Sequence, residues 1–375
     1  MNNRQRFHAV LNYEEYDELP IVHFGYWNEL LDKWVEEGHL TPDERLNVRD
    51  GNPEDKLIGD KLGFDFNFFT TYMDLSGFSS LFPPFEPKRI KEHPNGSYEY
   101  FNEDGVIVLQ KANTVSIPAE IGHLLRDRAS WEEHYLPRLR YSEERFNDTV
   151  LKSLAEQSAG RSEPLGLYCK SLFGQIRNWL GVEGISYLYA DDEDLYDDIL
   201  NTVGELVFNT TKRAMESGVQ FDFAHFWEDI CFKTGPLVVP SIFAEKVGPH
   251  YRRITKLINS HGIEIISLDC DGLIDSLIPI WLENGVNTMF PIEVGTWHAS
   301  IAPWREQYGK NLRGVGGMNK HVLSFDKAAV DAEIERLKPL ISLGGFIPCP
   351  DHRLPPDTKW ELVQYYCDRL RRVCG

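Results

Sequence analysis

The sequence predicts an α/β fold, specifically a (β/α)8 TIM barrel, from three observations. Short apolar stretches typical of buried strands alternate with longer helical stretches along most of the chain. There are eight such strands, which suits a closed parallel barrel. Polar and ionisable residues follow several strands at their carboxyl ends, where barrels of this kind place functional side chains. The strands are predicted near residues 19, 64, 165, 221, 263, 286, 312 and 346.

The stretch Ile263–Gly272, IEIISLDCDG, shows this pattern most clearly. It begins as an apolar, largely β-branched run and ends in Asp269 and Asp271 on either side of Cys270. Burying unpaired carboxylates is costly, so two acids at the end of a buried strand are rarely placed there for stability. We therefore expect this fifth strand to form part of a functional site.

The other elements follow in chain order. Residues 3–12 predict an N-terminal helical extension, and further helix is expected between the first strand and residue 62. Residues 73–164 form an insertion between strands two and three, and residues 98–110 within it predict a β-hairpin that turns at Asp104-Gly105. Later helices are predicted over residues 191–218, 241–260, 273–284, 298–308, 326–341 and 358–372.

One barrel domain spanning residues 1–375 accommodates all of these elements. An open, doubly wound sheet is the alternative. That fold would need a glycine-rich phosphate loop after an early strand, and the sequence has no GxGxxG there. The closed barrel is therefore the preferred prediction.

Charge and cysteine usage narrow the functional classes. The net charge of -19 argues against nucleic acid and anionic membranes as partners. The six cysteines form no CxxC pair. The first residues lack the apolar core of a signal peptide, and no stretch approaches about 18 uninterrupted apolar residues. We expect a cytoplasmic protein with reduced thiols.

Candidate site residues stand at the predicted carboxyl ends of strands four to eight. These ends meet at one mouth of a barrel, so their side chains are expected to converge. A structural role, as a cap, a turn residue or a hydrogen-bonded core histidine, is the alternative at each position. The candidates are His225, Trp227, Glu228, Asp229, Asp269, Cys270, Asp271, Glu293, Lys320, Cys349, Asp351 and His352, with His23 and Asp74 after strands one and two.

Two kinds of chemistry suit this collection. Asp269, Asp271 and Glu293 would repel one another unless they were protonated or bridged by a cation. A divalent metal such as zinc would bridge them and keep one position open for water or substrate. Metal-free acid–base catalysis, by a carboxyl group of raised pKa, is the other interpretation. The crowding of the acids favours the metal.

Six stretches of the chain carry a family likeness: RQRFHAVLNYEEYDELP, WEDICFKTGPLVVPSIF, DCDGLIDSLIPIWLENGVN, FPIEVGTW, LRGVGGMNK and GGFIPCPDHRLPPDT. With them the sequence resembles the uroporphyrinogen decarboxylase superfamily, a (β/α)8 group that also contains corrinoid-linked methyltransferases. In the decarboxylase branch an arginine-rich loop follows the first strand and binds substrate carboxylates. The matching segment here, HFGYWNELLDKWVEEG, has no arginine and several acids, so a polycarboxylate would be repelled.

The resemblance is nearer the methyltransferase and O-demethylase branch. That branch binds zinc through an HxC pair after strand five and a cysteine after strand eight. Asp269 and Asp271 stand where the HxC pair is expected, and Asp351-His352 lie near the strand-eight position. An oxygen-rich site suits a harder Lewis acid role, such as the demethylation of a methyl ether. The chain has no corrinoid-binding DxHxxG signature, so the resemblance implies a corrinoid protein as partner.

We therefore expect a methyltransferase component that moves a methyl group from a small donor to a separate corrinoid protein with the help of zinc. A metal-free, decarboxylase-like lyase acting on a small cyclic or aromatic acid is the alternative. A non-catalytic binding barrel fits less well, since binding pockets are usually more apolar. The family likeness also suggests a homodimer. The assigned residues are Asp271, Glu293 and His352 as metal ligands, Asp269, Glu228 and His225 in catalysis, and His23, Asp74, Trp227 and Lys320 in substrate binding.

Overall fold

The computed structural model describes residues 1–77, 79–112 and 118–374. A mixed α/β architecture surrounds a seven-stranded parallel sheet. The strands of the chain are β1 Val22–His23, β2 Phe66–Asn67, β3 Tyr72–Met73, β4 Lys88–Glu92, β5 Tyr98–Phe101, β6 Val106–Gln110, β7 Ala119–His123, β8 Gly166–Tyr168, β9 Phe223–Trp227, β10 Cys231–Phe232, β11 Gly235–Pro236, β12 Ile265–Asp269, β13 Thr288–Ile292, β14 Arg313–Met318 and β15 Phe346–Pro350.

Helices connect most of these strands. None of the helices in the described residues is long and apolar enough to cross a membrane. They are α1 Asn3–Leu11, α2 Asn28–Glu36, α3 Pro42–Arg45, α4 Pro53–Leu62, α5 Arg128–Ser130, α6 Asp148–Ser158, α7 Gly174–Asp191, α8 Glu193–Met215, α9 Pro240–Ile242, α10 Gly248–Ser260, α11 Ile278–Glu283, α12 Val294–Trp297, α13 Ile301–Tyr308, α14 Lys327–Ser342 and α15 Trp360–Cys374.

The central sheet runs in the order β3-β8-β9-β12-β13-β14-β15, and every neighbouring pair in it is parallel. β1 and β2 form a separate parallel pair, and a 3-10 turn at Phe68–Thr70 separates β2 from β3. A parallel bridge joins Tyr26 to Leu354, so the segment after β1 lies beside the segment after β15. The arrangement is therefore TIM-barrel-like.

Burial explains why the central strands form. All five residues of β12, β13 and β15 are buried, which is typical of parallel strands covered on both faces. α8 packs one apolar face inward, including Leu195, Ile199 and Val203. The core thus holds the carboxyl ends of the strands in fixed positions.

The segment between β3 and β8 contains a four-stranded antiparallel sheet, β4-β5-β6-β7. β5 and β6 pair across residues 98–110, the stretch that predicts a hairpin. The turn between them contacts α7, because Asp104 Oδ1 accepts hydrogen bonds from Gln175 Nε2 at 3.1 Å and Trp179 Nε1 at 3.3 Å. This sheet is therefore anchored close to the carboxyl end of β8.

Three helices differ from the prediction. The helix expected over residues 273–284 is only α11, because Pro279 is tolerated in a first helical turn but not further inside. The helix expected over 298–308 begins at Ile301, after His298 adopts a left-handed conformation with φ of 57°. α7 was not predicted, and its backbone is kinked at Gly181.

Candidate active site

Parallel register places two layers of side chains on the inner side of the sheet. His225 lies opposite Ser267, and Trp227 lies opposite Asp269. Residues two apart in a strand face the same side. His225 Nδ1 is 2.7 Å from Ser267 Oγ, so this layer faces inward, and Trp227 and Asp269 form the next layer toward the carboxyl ends.

His225 is held as a neutral imidazole. Its ring stacks on Tyr72 with centroids 3.7 Å apart, and burial lowers its pKa to about 3. Nε2 is buried and has no hydrogen-bond partner among the described residues. The side chain is therefore packed below the acids and carries one unused ring nitrogen.

Three acids converge above this layer. Asp269 is 6 % exposed, and its carboxyl group makes no hydrogen bond within the described part of the chain. Burial and the charge of Asp271 raise the pKa of Asp269, and burial and the charge of Glu293 raise that of Asp271 to about 8. Glu293 Oε2 accepts hydrogen bonds from Gly272 N at 3.0 Å and from Trp297 Nε1. Asp269, Asp271 and Glu293 form the acid cluster.

His352 borders the acid cluster. Its Nε2 lies 3.7 Å from Asp271 Oδ2, and its ring packs between Phe24 and Trp27, with centroids 5.0 and 6.0 Å away. Burial and the nearby positive charges of Lys320 and Arg353 lower its pKa to about 4. The imidazole is therefore neutral near pH 7.

Lys320 supplies positive charge to the same region. Its ammonium lies 3.4 Å from Asp351 Oδ1 and lowers the pKa values of Asp271 and Glu293 against the effect of burial. Asp351 is committed elsewhere, because its other oxygen accepts hydrogen bonds from the backbone of Val294 at 2.9 Å and Gly295 at 2.7 Å. Asp351 thus fixes the loop after β15 to the start of α12.

Glu228 lies apart from the acid cluster. Its carboxylate accepts hydrogen bonds from Ser171 Oγ, from three backbone N–H groups of the turn that begins α7, and from the Tyr251 hydroxyl. This side chain joins β9 to the turn after β8. The arrangement gives Glu228 a structural position, in contrast to the catalytic role expected from the sequence.

His23 is also separate from the acid cluster. It packs beside Tyr26 and Phe64, with ring centroids 4.9 and 4.7 Å away, and its Nδ1 accepts a hydrogen bond from Gly25 N at 3.0 Å. It borders a different cavity of about 200 Å³. The structure therefore does not bring His23 together with the other predicted substrate-binding residues.

A larger cavity of about 640 Å³ is lined in part by Trp227, which lies opposite Asp269 of the acid cluster. Asp74 and Trp227, both predicted to bind substrate, line it together with Tyr72 and Tyr168. Asp74 is paired with buried Lys170 at 2.6 Å. The cavity is of ordinary size for a small-molecule site.

Sequence reasoning did not single out several residues of this region. Tyr72 and Tyr168 lie in aromatic or apolar strands and have the appearance of core residues. Gln175 and Asn178 line the cavity from α7, the helix that the sequence did not predict. Lys170 lies two residues after the end of β8, and the position of a cation near the end of a strand is the one signal that would have identified it.

Whether the acid cluster and His352 could hold a metal ion depends on the side-chain atoms available to bind it. Asp271 Oδ1 is buried and has no hydrogen-bond partner in the part of the chain that the structure describes, and a cation would satisfy it. However, no three His, Cys, Asp or Glu side chains in residues 1–77, 79–112 and 118–374 are close enough to hold a metal ion. The set of Asp271, Glu293 and His352 is therefore not assembled as a ligand site. Burial raises the pKa of the Cys349 and Cys270 thiols, so neither is a ready thiolate ligand.

The fold and the polar mouth define the chain as a TIM-barrel-like α/β protein with an acid-rich cavity. No protein-family model matches the sequence, and none of the curated proteins compared with it matches. Among solved structures, a methyltransferase from Methanosarcina mazei matches with a TM-score of 0.60 and 15% identity, covering 100% of both chains. A putative vitamin-B12 independent methionine synthase from Listeria monocytogenes has a TM-score of 0.36 and 13% identity, covering 60% of this chain and 69% of that one. The first likeness shows that the whole chain shares a fold with that methyltransferase.

Proposed function

We propose that this protein transfers a methyl group from a small methylated donor to a corrinoid carried by a separate protein. The observation that carries the proposal is the acid cluster at the carboxyl ends of the central strands, where Asp269 lies opposite Trp227 and Trp227 lines a cavity of about 640 Å³. The fold shared with a methyltransferase supports the same reaction class. We also infer that the eight strands close into a barrel, with residues 73–164 as an insertion over one end.

The chemistry follows from how the side chains are held. The methyl group leaves its heteroatom without the bonding electrons, and the reduced corrinoid supplies the new electron pair. The heteroatom keeps the old pair and gains basicity. Asp271 carries a proton near pH 7, because its pKa is raised to about 8, and it stands ready to protonate that heteroatom.

The other residues bind and shield the donor. Trp227, Tyr72 and Tyr168 line the cavity with aromatic surface that excludes water from the reacting carbon. Lys320 limits the repulsion within the acid cluster and so keeps Asp271 and Glu293 close together. Neutral His352 stands beside Asp271 as a second proton carrier.

The reaction can be tested with reduced cobalamin or a corrinoid protein and a panel of small O-methyl and N-methyl compounds. Methyl transfer would convert the cob(I)amide spectrum to that of the methylated cofactor, and Asp271→Asn, which removes the acid that protonates the leaving heteroatom, should slow this conversion about a hundredfold. Glu283→Gln, on the exposed face of α11, is the matched control and should leave the rate unchanged. Release of CO₂ from a small cyclic or aromatic acid, with no corrinoid methylation by any donor, would support the lyase instead.

Zinc held by Asp271, Glu293 and His352 remains a separate prediction. Metal analysis of protein purified without chelator tests it. Near-stoichiometric zinc that falls in both Glu293→Gln and His352→Ala would establish these ligands, whereas unchanged metal content in the two variants would refute the assignment.

A further inference from the structure

Aromatic rings form much of the wall of the larger cavity. Phe69, Tyr72, Tyr168 and Trp227 all line it. The rings of Tyr72 and Tyr168 are nearly parallel with centroids 5.9 Å apart, and Phe69 meets Tyr72 edge-on at 5.8 Å. The faces of such rings carry negative electrostatic potential, which attracts organic cations.

Two carboxylates that line the cavity already have partners. Asp50 accepts hydrogen bonds from both terminal nitrogens of Arg353, at 3.0 and 2.6 Å. Asp74 pairs with Lys170 at 2.6 Å. These two pairs therefore contribute no net charge to the cavity.

Asp269 has no such partner in residues 1–77, 79–112 and 118–374. Its carboxyl group makes no hydrogen bond to any described residue, although Asp269 is buried, with only 6 % of its surface exposed. It lies opposite Trp227 in the parallel register, so both side chains leave the sheet on the same face, and Trp227 lines the cavity. The site thus combines ring faces with one buried carboxyl group that no positively charged side chain of the described residues pairs with, and a bound cation would favour its ionised form.

We propose that the methyl donor is a small quaternary ammonium compound whose cationic head is held among Tyr72, Tyr168 and Trp227 with Asp269 as its counter-charge. A methylated ammonium has no N–H group to donate, so ring faces and an unpaired carboxylate are the groups that recognise it. The net charge of -19 also favours the approach of a cation. The identity of this molecule as the methyl donor rests on the proposed function.

The methyl transfer balances for such a donor. The C–N bond breaks with both electrons remaining on nitrogen, which yields a neutral tertiary amine. The reduced corrinoid provides the electron pair of the new bond to the methyl carbon. The amine is basic and takes up one proton before it leaves as a cation.

Calorimetric titration of the full chain with choline and with its neutral carbon isostere, 3,3-dimethylbutan-1-ol, tests the binding without any turnover. Choline should bind about tenfold more tightly than the alcohol. Asp269→Asn should weaken choline binding about tenfold and leave the alcohol unaffected. Trp227→Ala should weaken choline similarly, and Trp227→Phe should restore it because the ring face returns.

Equal binding of the two compounds would overturn the cation site, as would no choline binding up to about 10 mM. Unchanged choline affinity in Asp269→Asn would do the same. Circular dichroism of each variant verifies that the fold is intact. Choline binding without methyl transfer would count against the proposed function and keep the cation site. Methyl transfer from a neutral ether without choline binding would support the proposed function and overturn the cation site.

Discussion

Glu228 and Asp269 are both buried acids at the ends of adjacent strands, yet their surroundings are opposite. Glu228 is fully buried and its carboxylate accepts hydrogen bonds from five donors. Asp269 is 6 % exposed and, among the described residues, receives none. A buried acid surrounded by hydrogen-bond donors stabilises the fold, whereas the carboxyl oxygens of a buried acid without donors are available to a ligand. The number of donors, rather than burial, separates the two roles.

The largest expected effect comes from Glu228→Gln. The amide would direct its NH₂ group toward donors, leaving buried N–H groups of the 171–174 turn without an acceptor. We expect the free energy of unfolding to fall by about 3 kcal/mol, measured by urea denaturation. Glu293→Gln is the matched control and should cost less, since Glu293 has fewer donors. A Glu228→Gln protein of normal stability but without activity would contradict this assignment and support the catalytic role instead.

The buried ion pair of Lys170 and Asp74 gives a second test of the idea that a buried charge with partners stabilises the fold. Removing one partner leaves the other charge buried and unpaired, so Lys170→Met should lower the free energy of unfolding by about 3 kcal/mol. Adding Asp74→Asn to that variant should recover part of the loss. If the two single losses simply add in the double variant, measured by the same denaturation, the pair is not coupled.

The sequence located the strands better than it distinguished the acids that follow them. The apolar run at 263–268 became β12, and the strands predicted from residue 165 onward appear in the predicted order, with α7 as an additional helix after β8. Local pattern cannot distinguish Glu228 from Asp269, because the donors to Glu228 come from residues 171–174 and from Tyr251, both distant in the chain. The same limit applies to Tyr72 and Tyr168, whose role as cavity walls depends on which strands become neighbours.

Fold prediction was weakest where a local bend in the backbone interrupts a helix or strand. α7 continues across Gly181, which has a φ of 71°, so its helical periodicity is broken in the sequence. The turn between β2 and β3 likewise divides one predicted aromatic strand into two short ones. Both features shape the cavity, and each depends on tertiary packing that no short window of sequence contains.

The pH dependence of turnover tests the role of the buried acids that lack hydrogen-bond donors, and the expected effect is smaller. Asp271 must hold its proton to protonate the leaving heteroatom, so the rate should fall as pH rises through about 8. His352, with a pKa of about 4, stays neutral across this range and adds no second decline. The measurement is the rate of corrinoid methylation from pH 6 to 10. A rate that is flat across pH 8 would exclude Asp271 as the acid.

The smallest expected effect is a gain of stability in Asp271→Asn. The folded protein raises the pKa of this acid from 3.8 to about 8, so folding favours its protonated form. Unfolding therefore releases a proton between these two values, and the free energy of unfolding falls as pH rises from about 4 to 8. Asparagine removes that dependence, so the variant should be more stable by about 1 kcal/mol above pH 8, after allowance for partial exposure of the side chain. Denaturation of both proteins at pH 5 and pH 9 measures the difference, and a larger advantage at pH 5 would contradict it. If Asp271→Asn is more stable but less active, Asp271 is a residue that supports catalysis and lowers the stability of the fold.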